Sequence, residues 1–229
     1  RGPVLGGQHA APARGGDPRT HGARGVPGAG GGRGRGPTAG GGPTHNCIAD
    51  LALYRAIPNL TVEVPADAGQ CCKIVRQSHS FEGPMIIRID RGGSPNVYAD
   101  NNYELVIGKA IETLPGADVT LISAGSSVYW SLMGAKILRE KYGISARLID
   151  MHTIKPLDTD MIKKCAGETG AIVTVEEHSI NGGLGSAIAE YLMESGFSGR
   201  FKRIGLPDEF AVLGETEAVY EYYGMDPKG

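Results

Sequence analysis

His45 stands in the run Gly42-Pro43-Thr44-His45, just before a helical pattern. A histidine on such a loop can reach a cleft and titrate near neutral pH. On spacing alone, a single loop histidine is more often incidental. Arg88 and Arg91, in Arg88-Ile89-Asp90-Arg91-Gly92, follow the apolar run Met85–Ile89. A guanidinium just past the C-terminal end of a parallel strand is placed for an anionic ligand, because clefts open there. The competing reading is a surface arginine paired with Asp90. Glu176-Glu177-His178 offers acid, base and metal-ligating groups. Neighbouring strand residues point to opposite faces, so the three do not converge, and a polar strand end near a subunit boundary is the preferred reading. Gly182-Gly183-Leu184-Gly185 could cradle a phosphate with backbone N–H groups at a helix start. Glycine clusters at such turns more often permit tight packing.

The elements that must hold these residues are legible from periodicity. Asn46 is placed to cap a helix running to about Ala56, and Pro58-Asn59 breaks it. Leu60–Val64 reads as a strand. Pro65-Ala66-Asp67 opens a helix ending near Ser80, and Met85–Ile89 reads as the next strand. The turn-rich stretch 92–103 reads as a linker. Beyond it, strands are expected at 119–124, 146–151, 171–175 and 201–206, with helices from Gly125-Ser126-Ser127, Asp158 and Gly185-Ser186 between them. In Met151-His152-Thr153-Ile154-Lys155-Pro156-Leu157-Asp158, Pro156 fixes a turn and Asp158 caps the next helix. Near-continuous apolar runs are what a parallel sheet covered on both faces requires, so the fold class is α/β.

Residues 1–42 differ from the rest. They hold 16 of the 36 glycines, six arginines and one acid, Asp17. Such a segment cannot bury enough apolar surface to offset its chain entropy and is expected to be disordered. Arg33-Gly34-Arg35-Gly36 is similar to short RNA-binding runs but lacks interleaved aromatics. The composition matches a GC-rich coding region read out of frame, and the nucleotide sequence in three frames tests that reading. The net charge of −2 gives no reason to expect a nucleic-acid partner, and no run of 18 apolar residues indicates a membrane span. Cys47, Cys71, Cys72 and Cys165 form no CxxC pair, and small apolar residues of a reduced cytoplasmic protein are the expectation.

The runs MHTIKPLD (151–158) and ETGAIVTVEEHSINGGLGSA (168–187), with GPTHNCIADLALYRAIPNL (42–60), resemble the C-terminal half of transketolase. The likeness extends to about Asp208 and is strongest to the separately encoded C-terminal subunits of split transketolases. It implies the C-terminal part of a pyrimidine-binding parallel-sheet domain (43–91), the linker 92–103, and a complete C-terminal-type α/β domain (104–229), although the chain stops short of the family's last helix. It implies transfer of a two-carbon ketol unit between sugar phosphates, with His45 hydrogen-bonding donor-sugar oxygens and Arg91 holding the phosphate. It also implies thiamine diphosphate and Mg²⁺ supplied through an N-terminal partner subunit, and a homodimer. The family's C-terminal domain does not hold the diphosphate, so the packing reading of the glycine cluster is adopted. Two positions depart from the family pattern. Gly41 stands where an acid usually contacts sugar hydroxyls, and Asn46 replaces the usual glutamine. No candidate is visible for the glutamate that activates the pyrimidine ring, so the isolated chain is expected to be inactive. The alternatives are a 1-deoxyxylulose-5-phosphate synthase, a 2-oxoacid dehydrogenase β-type subunit, and a non-catalytic assembly module or inactive fragment.

Overall fold

The computed structural model describes residues 47–90, 95–100 and 102–229. His45, Arg91, Gly41, Asn46 and the Gly/Arg-rich segment 1–42 lie outside the described residues.

The first section contains α1 (Asp50–Ala56), β1 (Thr61–Glu63), α2 (Ala68–Ser78) and β2 (Met85–Ile87). Asp67 caps α2 as its position predicts: extended at φ −151°, ψ 177°, it accepts the Gln70 N–H at 2.8 Å. α1 starts later than expected, at Asp50, after Ala49, which makes no side-chain cap. The Asp50 carboxylate instead sits in the first turn, where the helix dipole favours negative charge, and accepts the Leu51 N–H at 3.0 Å.

The larger section contains β3 (Ile111–Leu114), β4 (Val119–Ser123), α3 (Ser127–Tyr142), β5 (Ala146–Asp150), β6 (Thr153–Lys155), α4 (Thr159–Thr169), β7 (Ala171–Ser179), α5 (Leu184–Glu194), β8 (Arg200–Leu206) and α6 (Thr216–Tyr222). Five strands form one sheet in the order β3-β5-β4-β7-β8. β5, β4, β7 and β8 run parallel, and β3 closes one edge antiparallel. Alternate residues of each strand serve the two faces. Ile122, Ile149 and Ile172 meet Ile162 and Cys165 of α4 and Ile188 and Leu192 of α5. On the other face Leu121 and Leu148 meet Val128 and Ala135 of α3. Asp158 caps α4 by accepting the Met161 N–H at 3.2 Å, as expected.

Two antiparallel strands, β3 and β6, and the helix α6 are absent from the periodicity reading. β6 does not join the large sheet. It pairs antiparallel with β1 in a second sheet of order β2-β1-β6, with Val62 opposite Lys155 and Glu63 opposite Thr153. The Val64 N–H donates to His152 O at 2.7 Å, and Val64 O accepts the Gly125 N–H at 3.1 Å, so one residue stitches both sections together. No helix among the described residues is long and apolar enough to cross a membrane.

Candidate functional site

In the large sheet, β4 connects through α3 to β5 on one side, while β7 connects through α5 to β8 on the other. The crevice beyond the C-terminal ends of β4 and β7 is therefore the switch point at which α/β folds commonly bind ligands. Here the chain fills it with its own first section. Arg88 follows β2 and is buried, its backbone N–H held by Glu63 O at 2.8 Å. Its Nε donates to Asp50 Oδ2 at 2.8 Å, and its Nη2 donates to the backbone oxygen of Glu177 on β7 at 3.1 Å. Burial opposes its charge, but Asp50, Glu177 and Asp90 outweigh burial and hold its pKa above the ordinary value. Arg88 is thus no surface arginine paired only with Asp90.

The Glu176-Glu177-His178 trio is not a polar strand end at a surface. All three are buried within the chain, because β7 runs on to Ser179 and stays paired with β8 there. Their side chains do alternate. Glu177 turns to the crevice, where its Oε2 accepts the Ser126 hydroxyl at 2.6 Å and its carboxyl lies close enough to Asp90 to feel its charge. Burial and the Asp90 charge push its pKa well up, against the opposing charge of Arg88. The Tyr220 hydroxyl of α6 lies 3.4 Å from Ser126 Oγ and closes the group.

Glu176 turns the other way and occupies the start of α5. Its two oxygens accept the Leu184 N–H at 2.6 Å and the Gly185 N–H at 2.9 Å. Burial raises its pKa to about 7 against those two N–H groups. A Cβ on Gly183 would overlap Glu176 Oε2, and one on Gly185 would meet Thr174 Oγ1 at 2.6 Å. The glycines are there for close approach, and the N–H groups already hold a carboxylate. A diphosphate does not fit at this helix start. His178 packs against α1, with Nε2 3.4 Å from the Ala52 N–H and 3.9 Å from Asp50 Oδ1, and burial lowers its pKa.

A second buried polar group lies where β1 meets β6. Glu63 and His152 are fully enclosed, with Oε2 and Nδ1 3.0 Å apart. The Thr153 hydroxyl donates to Glu63 Oε1 at 2.8 Å and accepts the Gly108 N–H at 2.9 Å. Asp150 accepts from Gln70 Nε2 at 2.7 Å and from the Tyr98 hydroxyl at 2.6 Å. Burial raises the Glu63 pKa. Burial also works against charging His152, but its hydrogen bond to Glu63 and the Asp150 charge prevail and raise its pKa. The sequence offered one signal for this group: Glu63 sits between apolar residues of a strand buried on both faces, and a buried charge demands a partner.

Among the described residues no cluster of His, Cys, Asp and Glu is arranged to hold a metal ion, and all four cysteines are free thiols. An apolar groove of about 310 Å³ lies over α3 and the β4–β7–β8 face, lined by Leu121, Trp130, Leu138, Val173, Ile204 and Met225. Lys141, Asp226 and Lys228 also stand in its lining, and the buried ion pair of Arg88 lies elsewhere. A polar cleft at the start of α2 is lined by Asp67, Cys72, Arg76 and Asn96.

Residues 108–229 match the family model for the transketolase C-terminal domain, and residues 34–95 match that for the transketolase pyrimidine binding domain. One of the subunits of the apulose-4-phosphate transketolase of Phocaeicola vulgatus is 42% identical over 188 residues, 82% of this chain and 59% of that protein. The 1-deoxy-D-xylulose-5-phosphate synthase of Symbiobacterium thermophilum is 37% identical over 189 residues, 82% of this chain and 29% of that protein. A solved structure described as a split gene transketolase, inactive beta4 tetramer, superimposes with a TM-score of 0.75 at 41% identity, covering 83% of this chain and 61% of that one. The chain thus spans about three fifths of the subunit-type relatives it matches.

Proposed function

This chain belongs to the transketolase family, and we propose that it is the C-terminal part of an enzyme that moves a two-carbon ketol unit from a ketose phosphate to an aldose phosphate. The observation that carries this reading is the 42% identity, over most of the chain, to a subunit of the apulose-4-phosphate transketolase. The diphosphate and Mg²⁺ are held by an N-terminal partner subunit. Thiamine diphosphate, when bound, supplies the carbanion chemistry of the transfer. The residues of this chain serve the sugar. His45 exchanges hydrogen bonds with donor oxygens, and the Arg91 guanidinium holds the phosphate by paired N–H groups. In the sequence His45 precedes α1 and Arg91 follows Asp90. A cytoplasmic homodimeric arrangement within the pentose phosphate reactions is part of this reading, and the four free thiols suit a reducing compartment.

The synthase relatives support a second reading, condensation of pyruvate with an aldose phosphate. Mixing the chain with its cognate N-terminal subunit and assaying xylulose 5-phosphate plus ribose 5-phosphate against pyruvate plus an aldose phosphate separates the two. Ketol transfer is the expected result, and turnover of pyruvate alone would replace this reading with the second. Calorimetry of the isolated chain with thiamine diphosphate is expected to show no tight binding, because the glycine-rich start of α5 is filled by Glu176.

A further inference from the structure

We propose that His178 is a proton-operated latch on α1: its neutral imidazole caps the helix from β7, and charging the ring frees that helix.

α1 has seven residues, too few for a helix that stands alone. Its own ends are poorly capped: Ala49, at the N-cap, makes no side-chain hydrogen bond. The caps come instead from the C-terminal domain. At the last turn the Lys155 ammonium of β6 donates to Arg55 O at 2.9 Å and to Ile57 O at 2.5 Å. Along the side, Arg55 Nη1 donates to Gly182 O at 2.5 Å and to Gly183 O at 3.1 Å. At the first turn the Ala52 N–H is one of the amides a helix start leaves unsatisfied. Ile48 O, four residues back, is taken by the Ser179 N–H at 2.9 Å. The Ala52 N–H donates to Nε2 of His178, at 3.4 Å.

These contacts fix the state of the ring. Nε2 faces a donor, so it carries a lone pair and no proton. Nδ1 lies 2.7 Å from Ser179 O, so it carries the single proton of the neutral ring. One tautomer satisfies both contacts. An imidazolium would turn a second N–H against the Ala52 N–H, and the ring, 0% exposed, has no water to turn to. Burial lowers its pKa, and the Arg88 charge adds to that. Asp50, with Oδ1 3.9 Å from Nε2, works the other way without prevailing. Glu176 on the same strand has Oε2 3.8 Å from Nδ1. The neighbours from the start of α5 and from β8 are Gly183 and Gly205, which carry no charge. A pKa held below the ordinary 6.5 means that docking of α1 favours the neutral ring. Docking is therefore complete above pH 6.5 and weakens as pH falls from 6.5 to the docked-state value. Within that window each pH unit raises the population of lifted helix about tenfold.

The test is hydrogen exchange of the full chain from about pH 7.5 to about pH 5, read by mass spectrometry as protection factors corrected for intrinsic rate. Protection of α1 is expected to fall about tenfold per pH unit below 6.5, measured against α3 of the same chain as reference. His178→Gln keeps an acceptor for Ala52 and takes up no proton, so it is expected to flatten that fall. Lys155→Met removes the cap at the other end of α1. It is expected to lower α1 protection about tenfold at every pH and leave the slope unchanged, the scale of hydrogen bonds to a charged group. An unsubstituted chain whose α1 protection does not fall with pH, or a His178→Gln chain with the same slope, would overturn the proposal. If His178→Gln does not fold, nitrogen NMR of His178 in the unsubstituted chain decides. A neutral ring protonated on Nδ1 and titrating below 6.5 is expected, and protonation on Nε2 or titration at 6.5 or above overturns the latch.

Discussion

Two buried polar seams join the first section to the C-terminal domain, and they are built on different chemistry. At the end of β2 a permanent cation, Arg88, is clamped between Asp50 and the backbone of Glu177. Where β1 meets β6, Glu63 and His152 face each other in full enclosure, and their attraction depends on a proton. The Arg88 guanidinium keeps its charge at any ordinary pH, while the Glu63–His152 contact is conditional. The difference teaches why the switch-point crevice holds no small molecule's polar groups in open view: this chain uses the crevice to anchor its own strand end.

The largest effect is expected from breaking the first seam. Arg88→Met leaves Asp50 charged and buried without its partner, which should lower unfolding stability by about 3–5 kcal/mol in denaturant titrations. Combining it with Asp50→Asn should recover part of that loss, because removing both charges destabilises far less than removing one. Full additivity of the two substitutions would show that the ion pair is not what holds the seam.

Glu176 provides the pH background outside both seams. Its pKa is raised from the usual 4.5 to about 7, so the folded chain binds this proton more tightly than the unfolded chain does. Its contribution is therefore fully present below pH 4.5 and is lost as pH rises through about 7, a fall of roughly 3 kcal/mol. Glu176→Gln should flatten that stretch of the stability–pH curve, and an unchanged slope would reassign it to other groups.

The conditional seam should respond more gently. Thr153→Val removes the hydroxyl that links Gly108 to Glu63 and should cost about 1–2 kcal/mol. The raised His152 pKa makes its contribution complete below the ordinary histidine value of 6.5, with loss as pH rises through the folded value. Nuclear magnetic resonance titration should find His152 above 6.5 and should find it lower in Glu63→Gln. At the small end, Glu190→Ala breaks the Arg55–Glu190 pair, whose carboxylate side chain is 62% exposed, and should shift stability by less than about 1 kcal/mol.

Much of this fold was legible because its parallel strands are covered on both faces: Val119–Ser123 and Ala146–Asp150 had to read as apolar runs. Asp67 and Asp158 announced their helices because capping is a local act. β6 was illegible because Thr153-Ile154-Lys155 has no pattern of its own, and only the neighbouring β1 makes it a strand. β3 was hidden because its four residues, at an edge, are each half-buried. The crevice was unreadable for a third reason. Asp50 and Arg88 are 38 residues apart and Arg88 and Glu177 are 89 apart, so nothing local couples them. For the two residues proposed to touch the sugar, His45 and Arg91, local position left the role open and the resemblance assigned it.

The pairing of β6 with β1 bears on how such a protein can be divided. A strand lent by one section to the sheet of the other makes residues 92–103 a poor place for a seam between separately made pieces. A protease that cut there would be expected to release no free domain, since β6, Arg88 and Val64 would still grip across the cut. A gene split at that point would separate halves that each expose an unpaired strand edge, the surface on which misassembly starts. Modularity in this molecule is set by strand exchange and not by the turn-rich stretch that punctuates its sequence.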